Sequence, residues 1–374
     1  MKVNIQKEDL LYAVQAVERA VSNKNTLPIL GGILIIAHKG KISFRATDLE
    51  MAMECVINAD VVEEGEVVVP GKKFAGLTRL LPSTNISLES MGREQLLVEY
   101  EQSEISVPCF LAEEFPAFPH PEGEINGEIS IKSFRKLVKQ VSIAAANDEI
   151  RPVFSGILME ISKETIIMVA TDTHRLAKGE CKWQGEGEAS LIMPCRTLQE
   201  IARLAVNEEE NIKLTANKNQ AYFRLGNLTF TSRVIVGQYP DYNQVLPSEN
   251  LFSYFAVINN HRLCDALERA ALISRDVTRG KGNIVRLNFE KNKVVMSAEV
   301  PDEGTIKEEI PAAVEGEELT VNYNARYLLE ALKVIDEENI CFRLTGATTP
   351  GIIVGDSEKE QNYFYLVLPV RVSR

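Results

Sequence analysis

The chain repeats part of itself at a constant offset of 124 residues, and this repeat restricts the possible folds more than any other feature. The matched positions include glycines, prolines and one tripeptide: Gly32 with Gly156, Pro70 with Pro194, Pro116 with Pro240, and Ala46-Thr47-Asp48 with Ala170-Thr171-Asp172. Chance similarity would not keep one offset over a whole unit. The sequence therefore predicts two copies of one domain, over residues 1–124 and 125–248.

A third, more diverged copy is indicated by the order of its parts. The segment YFAVINNHRLCDALERAALIS (Tyr254–Ser274) is similar to GEISIKSFRKLVKQVSIAA (Gly127–Ala145), each a short strand followed by a helix. The segment LTVNYNARYLLEALKVI (Leu319–Ile335) repeats the pattern of VVVPGKKFAGLTRLL (Val67–Leu81). We therefore expect three repeated domains, with the third over residues 249–374.

Each copy combines helical and strand patterns. In EDLLYAVQAVERAV the apolar residues recur at helical spacing, at Leu10, Leu11, Val14, Val17 and Val21. Short runs such as KISFRATD and LLVEYEQ alternate with the period of half-buried antiparallel strands. The pattern predicts an α+β fold class with two helices and about eight strands per copy, rather than a dinucleotide-binding sheet.

Composition is typical of a globular protein. Of the 374 residues, 45% are hydrophobic and 25% are charged, and no apolar run approaches the ~20 residues that span a bilayer. The first residues, MKVNIQKEDL, lack an apolar signal core, so we expect a cytoplasmic protein. The six cysteines form no Cys-x-x-Cys pair, which argues against a zinc ribbon or a redox motif.

The segment VATDTHRLA (Val169–Ala177) concentrates reactive side chains but lacks the arrangement of a catalytic site. Asp172, Thr173 and His174 are adjacent along an extended segment, so their side chains point to opposite faces and cannot act as a triad. The chain has no nucleophile-turn motif and no phosphate-loop motif. Its four histidines lack metal-ligand spacing. We therefore expect no catalytic centre, no metal and no cofactor.

Positive charge is concentrated in the predicted helices. The net formal charge is −12, yet the six helical segments together carry +9, which leaves −21 on the remainder. Lys72 and Arg79 recur as Arg196 and Arg203 at the same offset. Such a surface suits phosphate backbones contacted without base reading, and without an aromatic-rich groove it favours duplex over single strands. The alternative is a set of ordinary solvated helix faces.

The repeat and four motifs together resemble one family. TLPILGGILI, ATDTHRLA, YPDYNQVLP and YLVLPVR are similar to segments of the bacterial DNA polymerase III beta subunit, the sliding clamp, and the similarity covers the whole chain. The resemblance implies a head-to-tail homodimer that closes into a ring, with helices lining a channel for double-stranded DNA. It also implies a non-catalytic processivity factor in DNA replication that holds DNA without reading its sequence.

The resemblance further implies a groove, formed by the second copy and the end of the chain, where peptide tails dock. The partners would be the replicative DNA polymerase, the clamp loader, repair and translesion polymerases, and mismatch repair proteins. Carried over position by position, the groove residues are Arg151, Phe154, Thr171, His174, Arg175, Leu176, Pro240, Val245, Leu366, Leu368, Pro369, Val370 and Arg371. Apolar side chains would provide affinity, while His174 and Arg175 would orient the peptide. The alternative for ATDTHRLA is a strand and turn kept for folding.

Three departures from the family pattern affect the expected peptide preference. One is that the chain runs on past Arg371 as VSR. Thr173 stands where the family often has glycine, and Gln244 stands where a basic residue can occur.

A second set of residues is expected to contact DNA. The resemblance implies Lys24, Lys73, Arg196, Arg203, Asn324 and Tyr327. Charge alone adds Lys132, Arg135, Lys136 and Lys139.

The subunit interface is expected between the first domain of one chain and the third domain of the other, by pairing of edge strands. The candidates are ISLES (86–90) and SEISVPCF (103–110) in the first domain, and GNIVRLNFE (282–290) and KVVMSAEV (293–300) in the third. The sequence does not decide between them.

Two rival functions remain at this point. One is a three-domain scaffold whose basic helices meet acidic proteins or solvent, and the other is an enzyme that uses His174 and Asp172. Substitution of His174 separates them, because an enzyme would lose turnover whereas a clamp would lose only stimulation of its partners.

Overall fold

The computed structural model describes residues 1–22, 27–92, 94–119, 122–147, 150–273, 283–300, 304–356 and 362–371. Over these residues the chain forms six α-helices and 26 β-strands, in three sheets of antiparallel strands. The expected α+β fold class is confirmed.

The helices come in three pairs, one pair in each repeat. They are α1 Lys7–Val17, α2 Gly71–Leu80, α3 Ile131–Ser142, α4 Cys195–Leu204, α5 Asn260–Ile273 and α6 Ala325–Leu332. Short 3₁₀ turns lie at Glu18–Ala20, Pro28–Gly31, Ala112–Glu114, Tyr242–Val245 and Glu249–Leu251.

The strands are distributed almost evenly among the repeats. In the first repeat they are β1 Lys2–Gln6, β2 Gly32–His38, β3 Lys41–Thr47, β4 Met51–Asn58, β5 Asp60–Glu63, β6 Gly65–Pro70, β7 Asn85–Met91, β8 Gln95–Tyr100 and β9 Ser103–Pro108. In the second they are β10 Ile125–Ser130, β11 Gly156–Ile161, β12 Thr165–Thr171, β13 Arg175–Lys182, β14 Gln184–Glu186, β15 Ala189–Pro194, β16 Asn211–Ala216, β17 Gln220–Leu225 and β18 Leu228–Arg233. In the third they are β19 Tyr254–Asn259, β20 Ile284–Glu290, β21 Lys293–Val300, β22 Gly304–Glu315, β23 Leu319–Asn324, β24 Asn339–Leu344, β25 Gly351–Gly355 and β26 Tyr363–Val367.

The 124-residue offset of the sequence is reproduced in the structure. β3, β4, β6 and α2 coincide residue for residue with β12, β13, β15 and α4 when 124 is added to their numbers. The elements therefore repeat because the apolar and turn residues that specify them repeat.

The chain divides into two compact units. The first contains Met1–Lys132, Trp183–Glu188 and Arg196–Val234, and the second contains Ser133–Lys182, Ala189–Cys195 and Ile235–Arg374. The strands of the middle repeat are divided between the two units: β16 to β18 belong to the first and β11 to β13 to the second. The division into three domains stays a prediction from the repeat.

The first unit is built on two sheets. Their strand orders are β5-β1-β7-β8-β9 and β14-β10-β16-β17-β18-β4-β3-β2-β6. Helix α1 packs against α2, β3 and β4, and fully buries Leu10, Val14 and Val17, as the helical spacing predicts. In the larger sheet, β4 of the first repeat pairs with β18 of the second, so one ladder joins the two repeats.

The second unit is built on one sheet of twelve strands. Its order is β15-β11-β12-β13-β26-β25-β24-β19-β22-β21-β20-β23. Here β13 of the second repeat pairs with β26 of the third, with Leu176 opposite Leu366. Both leucines belong to an apolar cluster with Leu158 and Ile192, so strands from two repeats share one core.

Three of the four candidate interface strands are wrong, because each is paired on both sides. β7 lies between β1 and β8, β20 lies between β21 and β23, and β21 lies between β20 and β22. Within the described residues, β9 pairs only with β8. Residues 304–311 of β22 likewise pair only with β21, since β19 pairs with residues 312–315. Alternation in a sequence does not tell an edge strand from a central one.

The six cysteines all lie in the described part of the chain and are free thiols. The described residues contain no cluster of His, Cys, Asp and Glu suited to a metal ion. Their helices are too short or too polar to cross a membrane.

Candidate functional site

The residues after β12 form a tight turn held by Thr171 and Asp172. Thr171 Oγ1 donates to the Arg175 carbonyl oxygen at 2.7 Å, and Asp172 Oδ1 accepts the N–H groups of His174 at 2.9 Å and Arg175 at 3.1 Å. Thr173 has a φ of 78°, in the left-handed region. The turn leaves His174 exposed and Arg175 buried.

The turn after β3, 124 residues earlier, has the same hydrogen bonds. Thr47 Oγ1 donates to the Met51 carbonyl oxygen at 2.9 Å. Asp48 Oδ1 accepts the N–H groups of Glu50 at 3.1 Å and Met51 at 2.8 Å. Leu49 has a φ of 74°. Ala-Thr-Asp therefore builds the turn in both copies, and the residues after the aspartate distinguish them.

Arg175 lies between two carboxylates and an aromatic ring, with 5% of its side chain exposed. Its Nε donates to Asp172 Oδ2 at 2.9 Å, its Nη1 donates to Glu330, and its Cζ lies 4.3 Å from the centre of the Tyr327 ring. Burial lowers the pKa of the guanidinium, but its negative partners and hydrogen bonds raise it by more, so the group stays charged. That charge is neutralised within the unit, so Arg175 holds the turn against α6.

Helix α6 places Tyr327, an expected DNA contact, beside the residues expected to form the groove. The Tyr327 and His174 rings are stacked, with centroids 6.4 Å apart and planes 24° apart. The Tyr365 hydroxyl donates to the Tyr327 carbonyl oxygen at 3.0 Å. The side chain of Asn324, another expected DNA contact, caps the same helix by accepting the N–H of Arg326 at 3.0 Å.

The floor of the expected groove would be formed by β13 and β26. Leu176 and Leu366 face each other across the ladder and are 2% and 3% exposed. Leu368 lies two residues beyond Leu366 and is 36% exposed, and its N–H donates to the His174 carbonyl oxygen at 2.9 Å. An exposed apolar side chain therefore follows the buried Leu366 along the chain.

One wall of the expected groove would be formed by residues that precede β11 and follow β18. The Arg151 Cζ lies 5.1 Å from the centre of the Phe154 ring, which meets Tyr239 edge-on at 6.4 Å. Pro240 is exposed, and Val245 is 51% exposed. Tyr239 packs against the same apolar cluster as Leu176 and Leu366, although sequence reasoning did not select it. In the sequence, its position next to Pro240 indicates that it belongs with these residues.

The end of the chain continues past the groove along β23. The N–H of Val370 donates to the Asn322 carbonyl oxygen at 2.8 Å. Pro369 and Val370 are half-buried and Arg371 is exposed. The tail is thus anchored to β23 beyond Leu368.

In the first unit, the expected DNA contacts lie on helix surfaces. Lys73 and Arg203 are exposed, and neither forms an ion pair with a described residue. Arg196 is 61% exposed, with its Nη1 3.4 Å from Asp48 Oδ2. Lys132 is also exposed.

In the second unit, the basic candidates lie on α3. Lys136 and Lys139 are exposed, and Lys139 Nζ lies 3.6 Å from Asp336 Oδ1. Arg135 is half-buried. Lys24 lies outside the described residues.

Family models of the DNA polymerase III beta subunit match almost the whole chain. The N-terminal domain matches residues 1–119, the central domain residues 128–241, and the C-terminal domain residues 243–371. The chain belongs to this family. It is therefore a sliding clamp subunit of DNA polymerase III, a processivity factor of DNA replication rather than a catalytic subunit.

Curated relatives and solved structures agree with this assignment. The beta sliding clamps of Staphylococcus epidermidis and Staphylococcus aureus are each 30% identical to this chain, over 99% of it and 99% of their own length. The sliding clamp of Bacillus subtilis gives a TM-score of 0.94 at 28% identity, with 100% of both chains covered. The beta subunit of Pseudomonas aeruginosa gives 0.91 at 28% identity, with 99% of this chain and 100% of that chain covered.

Proposed function

We propose that two copies of this chain close head to tail into a ring around double-stranded DNA and slide along it in the cytoplasm, tethering the replicative DNA polymerase. The observation that carries the proposal is the exposure of basic side chains on α2, α3 and α4 in a protein with a net charge of −12. Basic side chains on an acidic protein favour phosphate contacts that carry no sequence information.

Sliding requires each contact to be weak and replaceable. Lys73, Arg203 and Lys136 are exposed without an ion pair among the described residues. The 3.4 Å contact of Arg196 with Asp48 is long and solvated, and such pairs are worth at most about 1 kcal/mol. A phosphate can therefore replace Asp48 as the partner of Arg196 at little cost.

The strand pairings within the chain suggest how two copies would join. Residues 51–55 of β4 pair with β18, and residues 175–179 of β13 pair with β26. In both ladders, the strand after the turn pairs with the last strand of the next repeat. A third ladder of this kind would pair β22 of one copy with β9 of the other.

The repeat also gives the register of that ladder. In each repeat one register pair closes the turn: Thr47 with Ala52, Thr171 with Leu176, and Glu299 with Thr305. Ala52, Leu176 and Thr305 are therefore taken as equivalent positions. β9 coincides with β18 when 125 is added to its numbers, so Ser106 corresponds to Thr231, which faces Ala52. Residues 104–107 of one copy would then face residues 307–304 of the other, with Ser106 opposite Thr305. Pro108 would end the ladder, since it has no N–H to donate.

A proline at Ser106 tests this interface. Cys109 donates to Glu94 across the β8 ladder at 2.8 Å, so the N–H groups of alternate residues, including Ser106, point away from β8. Ser106→Pro should raise the dimer dissociation constant at least about tenfold, as measured by analytical ultracentrifugation. Ser106→Ala keeps the N–H and should leave the constant unchanged. Equal behaviour of the two variants would contradict the register.

The groove between the His174 turn and the end of the chain is proposed to bind peptide tails. Its occupants would be the polymerase, the clamp loader, repair and translesion polymerases, and mismatch repair proteins. Support comes from the exposed apolar side chain of Leu368 and from the aromatic contacts of Phe154 and Tyr327. A groove of this composition suits apolar side chains of an extended or helical segment.

Retention on circular DNA tests the ring. The protein is loaded with a bacterial clamp loader and ATP onto nicked circular duplex, and half of the sample is then linearised. A ring stays on circles and leaves linear DNA within minutes, whereas a scaffold that binds only by charge leaves both at the same rate.

In the variant with Lys73→Ala and Arg196→Ala, loading and salt-resistant sliding should fall while the protein stays folded. Normal loading and sliding of that variant at moderate salt would exclude these two residues as DNA contacts.

A further inference from the structure

The first unit contains a surface pocket beside the turn that corresponds to the His174 turn. It is lined by residues of the turn between Thr47 and Ala52, by residues of β17 and β18, and by Pro116–Pro119. Its apolar lining includes Leu49, Met51 and Phe118, and its polar lining includes Gln220, Thr231 and Arg233.

The three polar residues share one face of the sheet. Thr231 and Arg233 are two apart on β18, so their side chains point the same way. Gln220 of β17 is the register partner of Arg233 and therefore faces it across the ladder. The sheet thus directs three hydrogen-bonding side chains to one place.

All three residues have unused donor capacity. Thr231 is 3% exposed, and its Oγ1 has no hydrogen-bond partner among the described residues. Gln220 uses its Oε1 to accept from Tyr222, which leaves its NH₂ group to donate. Arg233 is exposed and forms no ion pair with a described residue. A buried hydroxyl without a partner is rare in folded proteins, so Thr231 can donate to a bound group.

This pocket is the counterpart of the peptide groove, with polar side chains in place of apolar ones. Met51 and Arg175 are equivalent positions of the repeat, and their register partners are Ser232 and Val367. The residues on either side of Ser232, Thr231 and Arg233, therefore correspond to Leu366 and Leu368 of the groove. The backbone agrees: Arg233 N–H donates to Glu50 and Leu368 N–H donates to His174, both at 2.9 Å.

We propose that this pocket binds a short peptide segment of a partner protein in which an apolar side chain is followed by an aspartate or glutamate. The carboxylate accepts from Thr231, Gln220 and Arg233, a charge-assisted arrangement stronger than neutral hydrogen bonds. The apolar side chain packs against Leu49 and Phe118. Charge complementarity with Arg233 selects the acidic segment, while Glu50 on the rim limits its affinity. Neither ring closure nor DNA is needed.

A methyl group in the pocket provides a direct readout. Met51 lines the pocket, and its counterpart in the peptide groove is Arg175, so its signal reports this site and not the groove. The full chain is labelled with [methyl-¹³C]methionine, the Met51 signal is assigned with Met51→Leu, and acetyl-Leu-Phe-Asp-amide is added. The Met51 methyl signal should shift in a saturable way. Acetyl-Leu-Phe-Asn-amide, which has the same shape without the charge, should bind at least about fivefold more weakly.

Two variants sharpen the test. Arg233→Gln should weaken binding of the aspartate peptide at least about fivefold, and Glu50→Gln should strengthen it about twofold to threefold, because it removes a like charge. Both residues are exposed, so the two variants should fold like the unsubstituted protein. The methyl signals of buried methionines verify this if they have the same positions in all three proteins. A Met51 signal that does not move, or that moves equally with the asparagine peptide or in Arg233→Gln, would overturn the proposal.

Discussion

The turns at Thr47–Met51 and Thr171–Arg175 share a backbone conformation but differ in the partners of their side chains. In both, a threonine hydroxyl and an aspartate carboxylate satisfy the same backbone groups, and the residue after the aspartate has a positive φ. In the second turn, Asp172 also accepts from Arg175, whose side chain is 5% exposed. In the first, Asp48 contacts Arg196, which is 61% exposed, and buried Met51 takes the place of the arginine.

The comparison separates what a repeat preserves from what it leaves free. The aspartate is kept because the turn needs an acceptor for two N–H groups, whatever its second oxygen does. That second oxygen is available for other partners, and the two copies use it differently. A shared motif therefore predicts a shared turn but not a shared ligand.

The largest expected difference between the turns is in stability. Asp172→Ala removes one of two carboxylates from a buried guanidinium and should lower the free energy of unfolding by about 3–5 kcal/mol. Asp48→Ala removes only turn hydrogen bonds and a solvated contact, and should cost about 1–3 kcal/mol. Urea denaturation of both variants measures this, and equal losses would mean that the buried pair adds nothing to the turn.

A smaller effect is expected on peptide binding. Leu368→Ala should weaken binding of the replicative polymerase tail peptide about tenfold, since it removes a partly exposed apolar side chain from the groove. Arg233→Ala changes the counterpart position in the first unit and should leave this affinity unchanged. Fluorescence anisotropy with a labelled peptide distinguishes the two, and a loss in both variants would argue against separate sites.

The positive φ should produce a similar effect in both turns. Left-handed geometry costs a residue with a side chain roughly 1–2 kcal/mol, whereas glycine adopts it freely but loses more entropy on folding. Thr173→Gly and Leu49→Gly should therefore each stabilise the protein by about 0.5–1 kcal/mol. Thermal unfolding checks this, and opposite signs would show that the turns are not strained alike.

The smallest effect is the pH dependence that only the second turn should have. Burial raises the pKa of Glu330, but hydrogen bonds and charges from Arg326 and Arg175 lower it by more, to a net value below 4.5. A depressed pKa gives stability that is present above pH 4.5 and is lost as the pH falls through the folded value. In Glu330→Gln, urea unfolding below pH 4.5 should therefore depend less steeply on pH. An unchanged slope would assign the acid sensitivity to other carboxylates.

Sequence patterns predict the local parts of this fold well. The apolar spacing of Leu10, Val14 and Val17 predicts the buried face of α1, and the 124-residue offset predicts the second pair of helices. Both depend on residues close together in the chain or on direct repetition.

Long-range partners are where sequence reasoning fails. Glu330 lies 155 residues from Arg175 along the chain, so nothing near ATDTHRLA indicates that the arginine is buried. Likewise, nothing in the sequence indicates that the Tyr327 ring stacks on His174, since this contact depends on how α6 packs. The sequence does not indicate the pocket around Thr231, because only the register of β17 and β18 brings Gln220 and Arg233 together beside it.

The ladder between β4 and β18 has a consequence for synthesis on the ribosome. Cys55 pairs with Leu228, so roughly 170 further residues must be translated after β4 before its partner strand β18 is available. At about 5–20 residues per second, that delay is roughly 9–35 s. During this time the nascent chain exposes one side of β4, with an open row of backbone N–H and C=O groups. A ribosome-associated chaperone that shields this edge would act until the second repeat has been translated.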